Sequence, residues 1–348
     1  MKFEISGRKI SEKDAPFIIA EISANHNGDI DIAKKTIIAA KKFGADAVKL
    51  QTYTPDTMTI NCNSDEFLIK DGLWEGNNLY KLYQDAYTPF EWHEELFKIA
   101  KDENIICFST PFDESAIELL ESLNAPAYKV ASFEVTDLTL LKNIALTKKP
   151  VIMSTGMADQ DEIEEAVQTL KSNGTSSLAI LHCVSGYPTS PKDANLKTII
   201  DLKNKYNCVV GLSDHTLTNS TAIAAVALGA SIIEKHFIID RSLGGPDSSF
   251  SITPDELKKL KDATLEAQEC IGKVNYELKG DEKSMVKFRR SLYAVKDIKS
   301  GEKFTKENIR RIRPGFGIQP KFYDEILGKT AKDDIQFGTA LRWDLVNE

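Results

Sequence analysis

Residues 209–236 read VVGLSDHTLTNSTAIAAVALGASIIEKH, and this stretch decides the fold. One apolar run closes in Gly211-Leu212-Ser213-Asp214-His215, the next in Ile232-Ile233-Glu234-Lys235-His236. Each run has the near-continuous apolarity of a buried strand, and each is followed by the start of a helix. In a barrel of alternating strands and helices, residues at strand C-termini face the active site. Two imidazoles at the ends of successive strands can share one metal ion. The competing reading is two hydrogen-bonded core histidines.

The same texture extends outward. Strands are expected at 17–23, 47–52, 105–110, 128–132, 151–155, 178–184, 209–213 and 232–236, with amphipathic stretches such as 30–43, 114–123, 161–170 and 196–206 between them. Eight strand–helix units over about 250 residues imply an α/β fold, a (β/α)8 TIM barrel. A doubly wound sheet would want a Gly-rich phosphate fingerprint, which is absent. Thr253-Pro254-Asp255-Glu256 opens the last barrel helix, with a capping residue, Pro at the first helical position and Glu completing the box. One insertion, 55–88, holds Trp74, Tyr80 and Tyr83 and is expected to be a long loop covering substrate.

The expected domains are a barrel over 1–272, a charged linker over 273–289 and a small β-rich module over 290–348, with a brief helix near 305–309. Asp297-Ile298-Lys299-Ser300-Gly301 and Asp334-Ile335-Gln336-Phe337-Gly338 share a D-I-x-x-G pattern, a repeat or a coincidence. So short a tail is marginal for a core of its own, and packing against another surface is expected.

The 348 residues are 42% hydrophobic, enough for a full core. A net charge of −8 gives no reason to expect nucleic acid. No run approaches the roughly 18 apolar residues of a membrane span, and MKFEISGRKISEKDAPF lacks the apolar stretch of a signal peptide. Five scattered cysteines (Cys62, Cys107, Cys183, Cys208, Cys270) read as small buried hydrophobes in a reducing, cytoplasmic setting rather than as catalytic or disulfide-forming groups.

The strand ends carry the chemistry. They supply Glu21, Lys49, Gln51, Thr110, Lys129, Ser132, Ser154, His182, Ser185, Tyr187, Ser213, His215, Glu234 and His236. Lysines inside apolar strands are costly unless paired with an anion. Lys49 and Lys129 therefore form a phosphate or carboxylate site, or else pair with buried acids. Glu21 can complete the histidine pair as ligand, base or partner through water. His26 and His182 are decoys, and His93 reads as surface or packing. Asp247 binds sugar hydroxyls or is an ordinary turn residue; Arg313, before Pro314-Gly315, sits in a rigid turn.

These motifs, in this order, resemble the sialic acid synthase family: Ala20-Glu21-Ile22-Ser23-Ala24-Asn25-His26-Asn27-Gly28, Lys49-Leu50-Gln51-Thr52, Tyr128-Lys129-Val130-Ala131-Ser132, Ser154-Thr155-Gly156-Met157, Tyr187-Pro188-Thr189, Gly211-Leu212-Ser213-Asp214-His215 and Glu234-Lys235-His236-Phe237. Arg290-Ser291-Leu292-Tyr293 and Arg313-Pro314-Gly315 resemble its antifreeze-like (SAF) domain. The resemblance implies condensation of phosphoenolpyruvate with an N-acetylated amino sugar to a nine-carbon 2-keto acid, releasing phosphate. It implies that Lys49, Thr110, Lys129, Ser132, Ser154, Ser185 and Ser213 hold phosphoenolpyruvate, Ser185 standing where the neuraminate branch has asparagine. It implies that His215 and His236 bind a divalent metal (Mn2+, Mg2+ or Co2+), that Glu21 handles protons, and that Gln51, Tyr187 and Asp247 contact the sugar. Arg313 would reach the partner's barrel in a domain-swapped homodimer. Within the family, Gln51-Thr52-Tyr53-Thr54-Pro55-Asp56 and the Trp- and Tyr-rich insertion resemble the pseudaminic branch, whose acceptor is a 2,4-diacetamido-2,4,6-trideoxy-altrose. The alternatives are an N-acetylneuraminate or legionaminate synthase, a metal-dependent pyruvate aldolase, or a non-catalytic binding role.

Overall fold

The computed structural model describes residues 3–347. They divide into two compact units, Met1–Gly272 and Lys273–Glu348.

The first unit opens with a hairpin, β1 (Phe3–Ile5) and β2 (Arg8–Ile10), paired antiparallel. Then strands and helices alternate: β3 (Phe17–Glu21), α1 (Ile30–Lys42), β4 (Ala47–Thr52), α2 (Pro55–Met58), α3 (Leu79–Ala86), α4 (His93–Asp102), β5 (Ile106–Pro111), α5 (Glu114–Ser122), β6 (Tyr128–Val130), α6 (Leu138–Leu146), β7 (Val151–Ser154), α7 (Gln160–Ser172), β8 (Leu178–Cys183), α8 (Lys197–Tyr206), β9 (Val209–Ser213), α9 (Ser220–Ala227), β10 (Ile232–His236) and α10 (Pro254–Ile271). Strands β3 to β10 are parallel and close into the expected eight-stranded barrel. Closure pairs β10 with β3, setting His236 opposite Glu21.

Strand parity positions the site. Alternate residues face the barrel axis. Phe17, Ile19, Ala47, Phe108, Ala127, Ile152, Ala179, Leu181, Val209 and Ile232 form one buried cluster inside the barrel. Their neighbours in sequence, such as Ile18, Val48, Val130, Met153, Ile180, Leu212 and Ile233, pack outward against the helices. The axis-facing set is apolar at the strand starts and polar at their C-terminal ends. Phe3, Ile5 and Ile10 of the hairpin join the interior cluster and plug the N-terminal end, a role that strands of three residues are too short to announce by periodicity. Gly211 is required by space: a Cβ there would collide with the Ile232 carbonyl of the adjoining strand.

Capping behaves as the sequence implied at α10, where the Thr253–Glu256 box forms with Pro254 at the first position. The first expected strand ends early, at Glu21, and Ser23 already has a φ of 46°. The insertion 55–88 is not an irregular loop. It contains α2, α3 and a short 3-10 turn at Asp65–Phe67.

The second unit carries α11 (Glu282–Met285), β11 (Ser291–Ala294), β12 (Ile309–Ile312) and α12 (Tyr323–Ile326). Strand β11 pairs antiparallel with β12, and Leu292, Phe304, Ile309, Ile326 and Leu341 form a core of its own. The expected helix at 305–309 is instead a turn, with Asn308 Oδ1 accepting from Thr305 N at 2.7 Å and β12 beginning at Ile309. The D-I-x-x-G segments pair with each other. Ile298 and Ile335 exchange backbone hydrogen bonds at 2.8 Å in both directions. Asp297 Oδ1 accepts from Phe337 N at 2.7 Å, and Asp334 Oδ1 accepts from Ser300 N at 2.9 Å. Each aspartate thus accepts from the residue before the glycine of the other copy, a local two-fold arrangement. No helix among the described residues is long and apolar enough to cross a membrane.

Candidate active site

The polar ends of the barrel strands converge on an acid–lysine network. Lys49 Nζ lies 2.7 Å from Glu21 Oε2 and 3.9 Å from Glu234 Oε2, and Lys129 Nζ lies 3.4 Å from Glu234 Oε1. All four side chains are buried. Burial penalises the Lys49 ammonium, yet Glu21 and Glu234 outweigh it and leave its pKa above the ordinary value. Lys129 has less compensation, and burial holds its pKa down. Burial also lifts Glu21, against the pull of Lys49. At Glu234 burial is overcome by Lys129 and Lys49, and its pKa falls to about 2. The two readings of the buried lysines are therefore not exclusive. Both pair with acids; Lys49 in addition donates to a hydroxyl, and Lys129 Nζ to the Val130 carbonyl at 3.3 Å.

Those hydroxyls ring the network. Lys49 Nζ donates to Thr110 Oγ1 at 3.2 Å, and Ser213 Oγ donates to Glu234 Oε1 at 3.1 Å. Ser132 Oγ accepts from Gly156 N at 3.0 Å. Ser154 Oγ is buried without a hydrogen-bond partner, a state that calls for a ligand or water oxygen. Ser185 stands beside Gly156 closely enough that a Cβ on the glycine would strike its hydroxyl. Gln51 Nε2 donates to Glu21 Oε1 and to Ser23 Oγ, both at 3.0 Å.

The histidine pair lies alongside. The rings of His215 and His236 are 5.4 Å apart between centroids. His215 Nδ1 donates to the Val184 carbonyl at 3.0 Å, which fixes the tautomer and leaves Nε2 as a lone-pair donor. His236 Nδ1 is buried without a hydrogen-bond partner, and Asp247 Oδ2 lies 3.5 Å from it. Burial works against the Asp247 carboxylate, but His236 and neighbouring donors hold its pKa below the ordinary range. Tyr187 stacks 4.4 Å from His215, and Phe250 packs 5.0 Å from His236. Among the described residues no cluster of three or more His, Cys, Asp or Glu converges as a metal cage. Two imidazoles from adjacent strands are donors of the kind that would hold a divalent ion.

The decoys resolve cleanly. His26 accepts from Gly28 N at Nδ1 (3.1 Å) and donates from Nε2 to Thr88 Oγ1 (3.2 Å). His182 Nε2 donates to the Ala194 carbonyl at 2.6 Å. His93 is not a surface residue. It is buried, donates from Nδ1 to Pro89 O at 3.1 Å and bonds Thr52 Oγ1 at 2.8 Å, tying α4 to the end of β4. All five cysteines are free thiols; Cys107, Cys183 and Cys208 are buried as expected, whereas Cys62 is half-buried and Cys270, in α10, is exposed. Arg313 lies in the second unit, exposed just after β12.

Two side chains of this site, Glu234 and Glu134, have no role foreseen in the sequence, and a third, Trp74, was foreseen only as part of a covering insertion. Glu234 holds both lysines; its position two residues before His236 on the same strand face was the available signal. Glu134, in the 3-10 turn Ser132–Glu134, has its pKa pushed up to about 7 by burial, against Lys129. Trp74 reaches in from the insertion to lie 5.6 Å from the Tyr187 ring, which composition alone could not foretell.

Known proteins match this arrangement over nearly the whole chain. Pseudaminic acid synthase of Campylobacter jejuni subsp. jejuni serotype O:23/36 is 49% identical over 328 residues, 94% of this chain and 95% of that protein. The Helicobacter pylori protein of the same name is 45% identical over 332 residues, 94% and 97% of the two chains. The crystal structure of an N-acetylneuraminic acid synthetase from Leptospira borgpetersenii superposes with a TM-score of 0.73 at 33% identity, covering 82% of this chain and 95% of that one. Residues 289–347 match the SAF domain, and residues 36–276 match the NeuB family, to which this chain belongs.

Proposed function

We propose that the chain condenses phosphoenolpyruvate with 2,4-diacetamido-2,4,6-trideoxy-β-L-altropyranose, forming a nine-carbon 2-keto sugar acid and releasing phosphate. The observation that carries this is the cradle of Lys49, Lys129 and strand-end hydroxyls, including the partnerless Ser154, beside the histidine pair. A donor with both carboxylate and phosphate needs such a dense set of cations and hydroxyls in a dry site. Relatives at 45–49% identity bearing the pseudaminic acid synthase name support the acceptor assignment.

In this reading Lys49, Thr110, Lys129, Ser132, Ser154, Ser185 and Ser213 hold and orient the donor. Gln51, Tyr187 and Asp247 position the sugar so that its aldehyde carbon faces the donor's methylene carbon. His215 and His236 hold a divalent cation, Mn2+, Mg2+ or Co2+, which supplies Lewis-acid polarisation of the aldehyde oxygen. Glu21, fixed between Gln51 and Lys49, handles the proton at that oxygen or at the water that adds to C2 before phosphate leaves. Arg313 extends from the second unit to a partner's barrel in a domain-swapped homodimer, where it contacts the N-acyl group. The setting is cytoplasmic.

The test is phosphate release from phosphoenolpyruvate with Mn2+, comparing the diacetamido-trideoxy-altrose with N-acetylmannosamine and the legionaminic precursor. Release with the first alone supports the assignment. Release with either of the others moves the chain to that branch, and release with none removes the substrate assignment. Gly156→Ala probes the donor cradle. The added methyl would collide with Ser185 Oγ and stand 2.8 Å from Ser132 Oγ. Ser132 Cβ also lies 3.1 Å away, but the closest atoms are side-chain hydroxyls that a rotamer change can move, so the fold should survive. The KM for phosphoenolpyruvate should rise about tenfold or more, the equivalent of one lost charge-assisted contact, with little change in the acceptor KM. An unchanged donor KM would place the phosphate elsewhere.

A further inference from the structure

The indole of Trp74 bridges two parts of the site that come from distant segments. Its Nε1 donates to the Pro246 carbonyl at 3.1 Å, beside Asp247. Its ring lies 5.6 Å from Tyr187 at 52°. The rest of the insertion braces it. Tyr83 packs edge-on to Tyr53 at 5.8 Å, Tyr80 Oη donates to Asp56 Oδ1 at 3.1 Å, and Asn78 Nδ2 donates to the Cys62 carbonyl at 2.7 Å. Since Nε1 is the side chain's sole polar atom and the Pro246 carbonyl occupies it, what remains to meet a ligand is carbon. Tyr187 and Asp247 are the groups proposed to contact the acceptor, so the indole borders the acceptor's proposed berth.

We infer that Trp74 is a specificity-determining residue for the acceptor: its carbon face receives the deoxygenated C6 methyl end of the sugar and disfavours a hydroxyl there. The inference rests on the proposed condensation and names the side chain that selects its acceptor. A hydroxyl placed against the indole would lose water without gaining a partner. An apolar wall alone discriminates by about 10- to 100-fold rather than absolutely.

The experiment compares wild type, Trp74→Ala and Trp74→Phe with the trideoxy acceptor and its 6-hydroxylated counterpart. Trp74→Ala should raise the trideoxy KM about 10- to 50-fold, leave the phosphoenolpyruvate KM unchanged and collapse the preference between the two sugars. Trp74→Phe should retain most of the preference. Equal effects on both sugars, or a matching rise in the donor KM, would overturn the inference and leave Trp74 as packing. Tryptophan emission gives a readout independent of turnover. The trideoxy sugar should change the emission of wild type and not that of Trp74→Phe; the same change in both overturns the contact. If wild type turns over neither sugar, the condensation reading fails by itself, and the emission comparison still decides whether Trp74 meets a 6-deoxy sugar.

Discussion

His236→Ala should lower turnover by about a thousandfold or more while the barrel stays folded. The imidazole sits at the end of β10 opposite Glu21, and its Nδ1 faces the buried Asp247 carboxylate at 3.5 Å, a weak contact whose loss the fold should survive. Its loss removes one of two nitrogen donors proposed for the metal, and Lewis-acid assistance is worth several kcal/mol of barrier. His215→Ala should cost as much activity and somewhat more stability, because it also strips the Val184 carbonyl of its donor. Three measurements belong together: phosphate release, Mn2+ affinity by titration, and the melting temperature. The expected pattern is lost turnover, weakened Mn2+ binding and a near-native melt. A folded His236→Ala that binds Mn2+ like wild type, or that still turns over, would sink the metal assignment. Chelation of wild type should reproduce the loss, and Mn2+ should restore it.

The second large effect is on stability. Glu234→Gln keeps shape and removes the charge that answers both Lys129, 3.4 Å away, and Lys49, 3.9 Å away. Breaking a buried pair from one side costs about 3–5 kcal/mol, since the remaining charge stays desolvated. Glu21 still answers Lys49 at 2.7 Å, so Lys129 bears most of the loss. The substrate-free variant should therefore unfold at markedly lower denaturant than wild type at neutral pH. Phosphoenolpyruvate brings its own negative charge to the same lysines and should return more stability to Glu234→Gln than to wild type. A variant as stable as wild type, or equal protection of both by the donor, would show that Glu234 does not neutralise the lysines.

Much of this was written locally in the chain. The eight barrel strands were legible because parallel strands, buried on both faces, read as short apolar runs between turns. That the polar residues ending these runs would converge at one end of the barrel was legible because strand parity and strand end together determine where a side chain points. What was missed depends on contacts between distant segments. The hairpin of β1 and β2 has too few residues for a period and acquires meaning only by filling the barrel floor. For His93 the sequence left surface and packing both open, and only Thr52 and the Pro89 carbonyl, closing around it, decide for packing. The turn at 305–309 has a capping Thr305 at its start, but Asn308 folds back on that amide and stops the helix after a single turn. The D-I-x-x-G pattern was visible, whereas the mutual clasp of its two copies needed the second unit to fold.

The plugged floor has a kinetic consequence. With Phe3, Ile5 and Ile10 packed onto an interior already filled by apolar side chains, both proposed substrates would approach from the C-terminal end alone. The donor's cradle includes axis-facing Lys129 and Ser154, whereas Tyr187, Asp247 and Trp74 stand on the loops above. If the donor takes the deeper position proposed for it, it should bind before the sugar. Initial-rate patterns should accordingly be ordered, with the acceptor inhibiting at high concentration when phosphoenolpyruvate is scarce.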